Sequence, residues 1–98
     1  MTTLAVAAHE VLDWLRLDGW RCCIIGGLAV QRWGEPRLTQ DVDLTVLVDL
    51  GDEERFVDAV LAQFPGRRPD ARSFALEYRV LLVHASNRVA IDLAPTGP

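Results

Sequence analysis

The sequence contains no lysine: all ten of its basic residues are arginines. That absence removes the P-loop lysine, the Schiff-base lysine and the lysine general base from consideration. Cysteine is limited to the adjacent pair Cys22 and Cys23. Neighbours on a strand point to opposite faces, which disfavours a disulfide between them, and the spacing does not suit metal ligands. The two read as small apolar strand residues in a reducing compartment. No apolar run approaches the roughly 20 residues that span a bilayer. Met1-Thr2-Thr3-Leu4 lacks the basic start of a secretory signal. A cytoplasmic chain with no membrane segment is expected. The net charge of -4 argues against strong unaided binding to nucleic acid, whose affinity depends on neutralising phosphates.

What is present is a chain of 98 residues, half of them hydrophobic. This suits one domain over residues 1–98 with a single, thin core. Leu4, Ala8, Val11, Leu12 and Leu15 recur at helical spacing, with Gly19 as a stop signal. Residues 22–25 form a short apolar run ending in Gly26-Gly27, a buried strand followed by a tight turn. Residues 28–33 suit a short helix closed by Gly34 and Pro36. In residues 42–48, Val42, Leu44, Val46 and Val48 share one strand face, while Asp41, Asp43 and Thr45 share the other. Gly51-Asp52-Glu53-Glu54 reads as a helix start with Asp52 at the N-cap. Phe56, Val57, Val60, Leu61 and Phe64 supply that helix with a buried stripe, and Pro65-Gly66 ends it. Residues 67–73 read as a polar loop. Two strands are expected at 77–85 and 88–93, joined by a turn at Ser86-Asn87. The tail from Ala94 reads as turn-like. The order predicts an α/β (α+β) domain: a small mixed sheet with helices packed on it.

Asp41 and Asp43 stand at i and i+2 on one strand, so their carboxylates project together. Carboxylates this close repel each other unless a cation neutralises them or one takes a proton. Such oxygen ligands suit Mg²⁺ or Mn²⁺. Asp92 points away from its apolar neighbours Val89, Ile91 and Leu93. It joins the pair if its strand lies beside residues 42–48, and three acids on one face suit a two-metal phosphoryl or nucleotidyl transfer site. Gly26-Gly27 allows close backbone approach to a ligand, and the helix start beyond it favours phosphate. Arg37 and Thr39 are placed to contact the same phosphates. Arg67 and Arg68 could reach a triphosphate or an RNA backbone, with a solvated loop as the plainer reading. His84 reads as structural, His9 carries no assigned chemistry, and Trp14, Trp20 and Trp33 read as partly buried packing.

Gly26-Gly27, thirteen intervening residues and Asp41-Val42-Asp43-Leu44 resemble the signature of the DNA polymerase β-like nucleotidyltransferase superfamily. The longer string from Ile25 through Ala29, with Arg37-Leu38-Thr39-Gln40 before the acids, is most similar to the AbiEii-type branch, which includes toxins of toxin–antitoxin pairs. The resemblance implies a minimal nucleotidyltransferase fold and transfer of a nucleoside monophosphate from a nucleoside triphosphate, with pyrophosphate leaving. It implies that Gly26 and Gly27, with Arg37 and Thr39, hold the triphosphate. It implies that Asp41 and Asp43 ligate both metals, and that Asp92 ligates one and activates the acceptor hydroxyl. The acceptor is left open: tRNA or another RNA, a protein side chain or a small molecule. The sequence departs from the family in two ways. It stops soon after Asp92, where larger relatives carry a helical region, and it lacks the lysine of a later AbiEii-type motif. These departures motivate a second expectation, a non-catalytic module that binds nucleotide or a partner, with a homodimer or a partner protein covering exposed surface.

Overall fold

The computed structural model describes residues 3–24 and 41–97, and for Cys23 and Ile24 the backbone alone. The first helix, α1 (Thr3–Leu17), buries Ala8, Val11, Leu12 and Leu15 of the expected stripe together with Ala7, while Leu4 is only partly buried. It ends in a Schellman motif: Trp20 N–H donates to the Leu15 carbonyl at 2.8 Å and Gly19 N–H to the Arg16 carbonyl at 3.0 Å. Gly19 takes a φ of 92°, which a side chain would resist.

Two strands, β1 (Arg21–Ile24) and β2 (Asp41–Leu47), pair antiparallel. The helices α2 (Glu53–Gln63) and α3 (Ala71–Tyr78) follow, then β3 (Leu81–His84) and β4 (Ala90–Thr96). The sheet order is β1-β2-β4-β3. β4 lies parallel to β2 and antiparallel to β3, so the sheet is mixed. The described residues thus form an α+β fold of three helices and a four-stranded mixed sheet.

The core lies on one sheet face. Val42, Leu44, Val46, Leu81, Val83, Ile91 and Leu93 form one cluster with the inward sides of the helices. Each such side chain contributes about 1.5–3 kcal/mol by leaving water. Trp20 meets Phe56 edge to face at 5.1 Å, and Trp14 meets Phe64 at 5.7 Å, which ties α1 and its C-terminal turn to α2. Trp20 Nε1 donates to Asp18 Oδ2 at 2.9 Å, so its polar edge is satisfied while its ring is buried.

Three expectations are corrected. First, residues 71–78 are helical, so the polar loop is shorter than 67–73 and β3 begins at Leu81, not at 77. The buried side of α3 is Ala71 and Ala75, and two methyl groups give a faint helical signal. Second, the tail is strand through Thr96. Pro95 is tolerated there because β3 pairs with β4 only as far as Leu93, leaving β2 as the neighbouring strand beyond it. The Pro95 carbonyl accepts from Arg79 Nη2 at 3.2 Å. Asp52 stands at the N-cap of α2, where the sequence places it, though its side chain makes no capping bond. Its Oδ2 accepts from Arg55 instead, and Glu53 Oε1 accepts from the Gly51 N–H at 2.9 Å. Third, the β3–β4 turn needs three residues: Arg88 N–H donates to the Ala85 carbonyl, and Arg88 takes a φ of 70°.

Candidate functional site

On β2 the buried residues alternate with Asp41, Asp43 and Thr45, which face the other side of the sheet. On β4 the same alternation turns Ala90, Asp92 and Ala94 to that side. The parallel register pairs Asp43 with Asp92 and Asp41 with Ala90. The alternation therefore places all three acids on one face, and the last strand lies beside β2, with Asp92 opposite Asp43.

The segment 65–67 completes the row. His84 N–H donates to the Pro65 carbonyl and Arg67 N–H to the Leu82 carbonyl, each at 2.9 Å, around a bridge between Gly66 and Val83. This short stretch behaves as a further strand on the outer edge of β3. Leu82 is the register partner of Asp92. Arg67, Leu82, Asp92 and Asp43 thus form one transverse row across the acid face. Gly66 lets the segment pass close to α3, since a Cβ there would stand 2.8 Å from the Ala71 Cβ.

Arg67 Nη2 donates to Asp92 Oδ1 in an ion pair whose side chains are 18% and 28% exposed. The Arg67 Nε is buried without an acceptor among the described residues. Burial pushes the Asp92 carboxyl above the usual range; the Arg67 guanidinium pulls against that shift, while Asp41 and Asp43 add to it. The reading of Arg67 as a solvated loop residue is thus corrected. No local pattern marks it, because its position depends on the pairing of segment 65–67 with β3.

Gly26, Gly27, Arg37 and Thr39, with the helix expected at 28–33 and Trp33, lie outside the described residues. Arg68 does not join the acid row. It pairs with Asp70 through Nε at 2.6 Å and lies over the Phe74 ring at 4.0 Å. His84 is half-buried on the acid face, opposite Ala90 in register. A cavity of about 410 Å³ lined by Trp20, Arg21, Leu47 and Arg55 sits at the far end of β2 from Asp41 and is unconnected with the acids by lining residues.

As donors, the three carboxylates fit a hard divalent cation in type and in shared face. Among the described residues, no three His, Cys, Asp or Glu side chains converge as a ready metal site. At Asp92 a guanidinium engages the third carboxylate. No helix among the described residues is long and apolar enough to cross a membrane. The chain matches no family model, no curated protein and no solved structure.

Proposed function

We propose that the chain is a metal-dependent nucleotidyltransferase of the cytoplasm, which moves a nucleoside monophosphate from a nucleoside triphosphate to an acceptor hydroxyl. The observation that carries this reading is the shared face of Asp41, Asp43 and Asp92, with Asp43 and Asp92 in register on adjacent strands. Bound Mg²⁺ or Mn²⁺ would supply charge neutralisation for the triphosphate and the leaving pyrophosphate. Asp41 and Asp43 would hold it, with Asp92 as the third ligand. Asp92 would accept the proton of the acceptor hydroxyl as its oxygen bonds to the α-phosphorus. The bond from that phosphorus to the β-phosphate oxygen then breaks, and pyrophosphate leaves. Gly26, Gly27, Arg37 and Thr39 would hold the phosphates.

The test is a transfer assay with Mg²⁺ or Mn²⁺, each labelled nucleoside triphosphate, and RNA, protein and small-molecule acceptors. Label should reach one acceptor class with wild type and none with Asp43→Ala. Equal transfer by both proteins would sink the assignment.

One observation favours a second reading. The Arg67–Asp92 pair satisfies the third carboxylate without a metal, as suits a non-catalytic module that holds nucleotide or a partner. Absent transfer, with nucleotide binding that Asp43→Ala removes, would select it.

A further inference from the structure

We propose that the hollow beside the β3–β4 turn binds a phosphate group through Arg88, His84 and Ser86, and that this phosphate belongs to the acceptor. The second half rests on the reading above; the first does not.

Three observations carry it. The first is the lining. A cavity of about 590 Å³ is bounded by Pro65, His84, Ala85, Ser86 and Arg88. A guanidinium, an imidazole and a hydroxyl meet there, and among the described residues no carboxylate lines it. A guanidinium grips two oxygens of a phosphate at once, and the other two groups can donate to the remaining oxygen. The second is availability. Arg16, Arg55, Arg67, Arg68, Arg72 and Arg79 each pair with a carboxylate. Arg21 shares its cavity with Asp49 and Asp52. Arg88 has no acid in its cavity, and its side chain makes no ion pair or hydrogen bond among the described residues. The same holds for the His84 imidazole and the Ser86 hydroxyl.

The third observation is the backbone of Arg88. Ala85 N–H donates to the Val89 carbonyl at 3.0 Å, and Arg88 N–H to the Ala85 carbonyl at 2.9 Å. The loop therefore ends in a left-handed residue, a position that glycine or asparagine fills at least cost. The turn does not call for arginine, so the side chain accounts for it. The base it projects from is fixed: Ser86 N–H donates to Glu10 Oε1 at 2.9 Å, and Asn87 Nδ2 to the Thr3 carbonyl at 3.2 Å.

His84 joins the hollow to the acids. His84, Ala90 and Asp41 are successive register partners across β3, β4 and β2. Two strand spacings set His84 about 10 Å from Asp41, with only the Ala90 methyl between them. One acceptor molecule can therefore reach the hollow and the acids together.

The experiment titrates the full chain with inorganic phosphate, without divalent ions, and follows the His84 ring and Arg88 Nε–H resonances. Both should shift together and saturate. Arg88→Asn suits the left-handed position, so it should fold at least as well as wild type, and it should bind phosphate about tenfold more weakly or worse. Resonances that do not saturate, or equal affinity in Arg88→Asn, overturn the site. Acetate binding as tightly as phosphate would make it a carboxylate site and overturn the phosphate assignment. Adenosine monophosphate separates a phosphate carried by a larger molecule from the free ion. It should bind at least as tightly as inorganic phosphate, and its exclusion overturns the assignment to an acceptor. Phosphate binding in a chain that transfers nothing would unseat the proposed function and leave the site standing. Transfer by a chain that binds no phosphate here would do the reverse.

Discussion

Asp43 and Asp92 are register partners across the parallel β2–β4 pair, so two carboxylates leave the same face of adjacent strands. Like charges placed this way destabilise a sheet unless something neutralises them. Asp43 is exposed, so its loss opens no cavity. We expect Asp43→Ala to unfold, without divalent ions, within about 0.5 kcal/mol of wild type, on the stable side if the repulsion dominates. Mg²⁺ should raise the melting temperature of wild type and leave the variant unmoved. Thermal unfolding with and without Mg²⁺ measures both. A variant far less stable than wild type would give Asp43 a role in holding the sheet.

Gly66 packs tightly against the start of α3. A Cβ there would lie 2.8 Å from the Ala71 Cβ and 3.3 Å from Leu61 Cδ2. Gly66→Ala should therefore cost about 1–3 kcal/mol by overpacking, read from urea unfolding. Because the neighbouring Arg67 is positioned by the same segment, the variant should also disturb the Asp92 resonance in a carboxylate NMR spectrum. A neutral outcome would mean that α3 gives way easily.

Much of the sheet was legible because its strands alternate. Val42, Leu44 and Val46 against Asp41, Asp43 and Thr45 declare both a strand and its two faces, and Ile91 and Leu93 do the same for Asp92. α1 and α2 were legible from stripes of large apolar residues. α3 was hidden because its buried side is Ala71 and Ala75, while Phe74 and Leu76 only partly face the core. The end of β4 was hidden because proline argues against a strand, and only the shortness of β3 makes Pro95 acceptable. Arg67 was hidden for a different reason: it lies 25 positions from Asp92, and no local spacing reports a contact set by tertiary pairing.

Arg88 closes the β3–β4 turn in the left-handed region, with a φ of 70°. A side chain there costs about 1–2 kcal/mol relative to its preferred conformations. Arg88→Gly should stabilise the protein by about 1 kcal/mol, after allowance for glycine's greater freedom when unfolded. Chemical denaturation gives the number directly. A loss of stability would show that the exposed guanidinium contributes more than its backbone strain removes.

Arg72 joins α3 to α2 through Asp58 Oδ1 at 2.7 Å and Glu54 Oε1 at 2.8 Å. The hydrogen bond from Arg72 holds the Asp58 carboxyl below its ordinary value of 3.8. A carboxyl depressed in the folded state takes its proton more readily in the unfolded chain. Its contribution to stability is present above that ordinary value and is lost as pH falls through the depressed one. Arg72→Met should be slightly less stable than wild type near neutral pH, since the pair is exposed. The gap should narrow as pH falls below 3.8, as followed by urea unfolding across pH. A constant gap would assign the effect to packing.

The parallel pairing of β2 with β4 also governs when the acids meet. The two strands lie roughly fifty residues apart along the chain, and no hairpin joins them. Closing that long connection is a slow, non-local event, whereas the β3–β4 hairpin and the three helices form from nearby residues. Neither half of the chain contains a precursor of the carboxylate row. A cation held by the row, as the proposed function requires, would grip only molecules whose central strands have already zipped together. It would slow unfolding and leave the rate of folding almost unchanged.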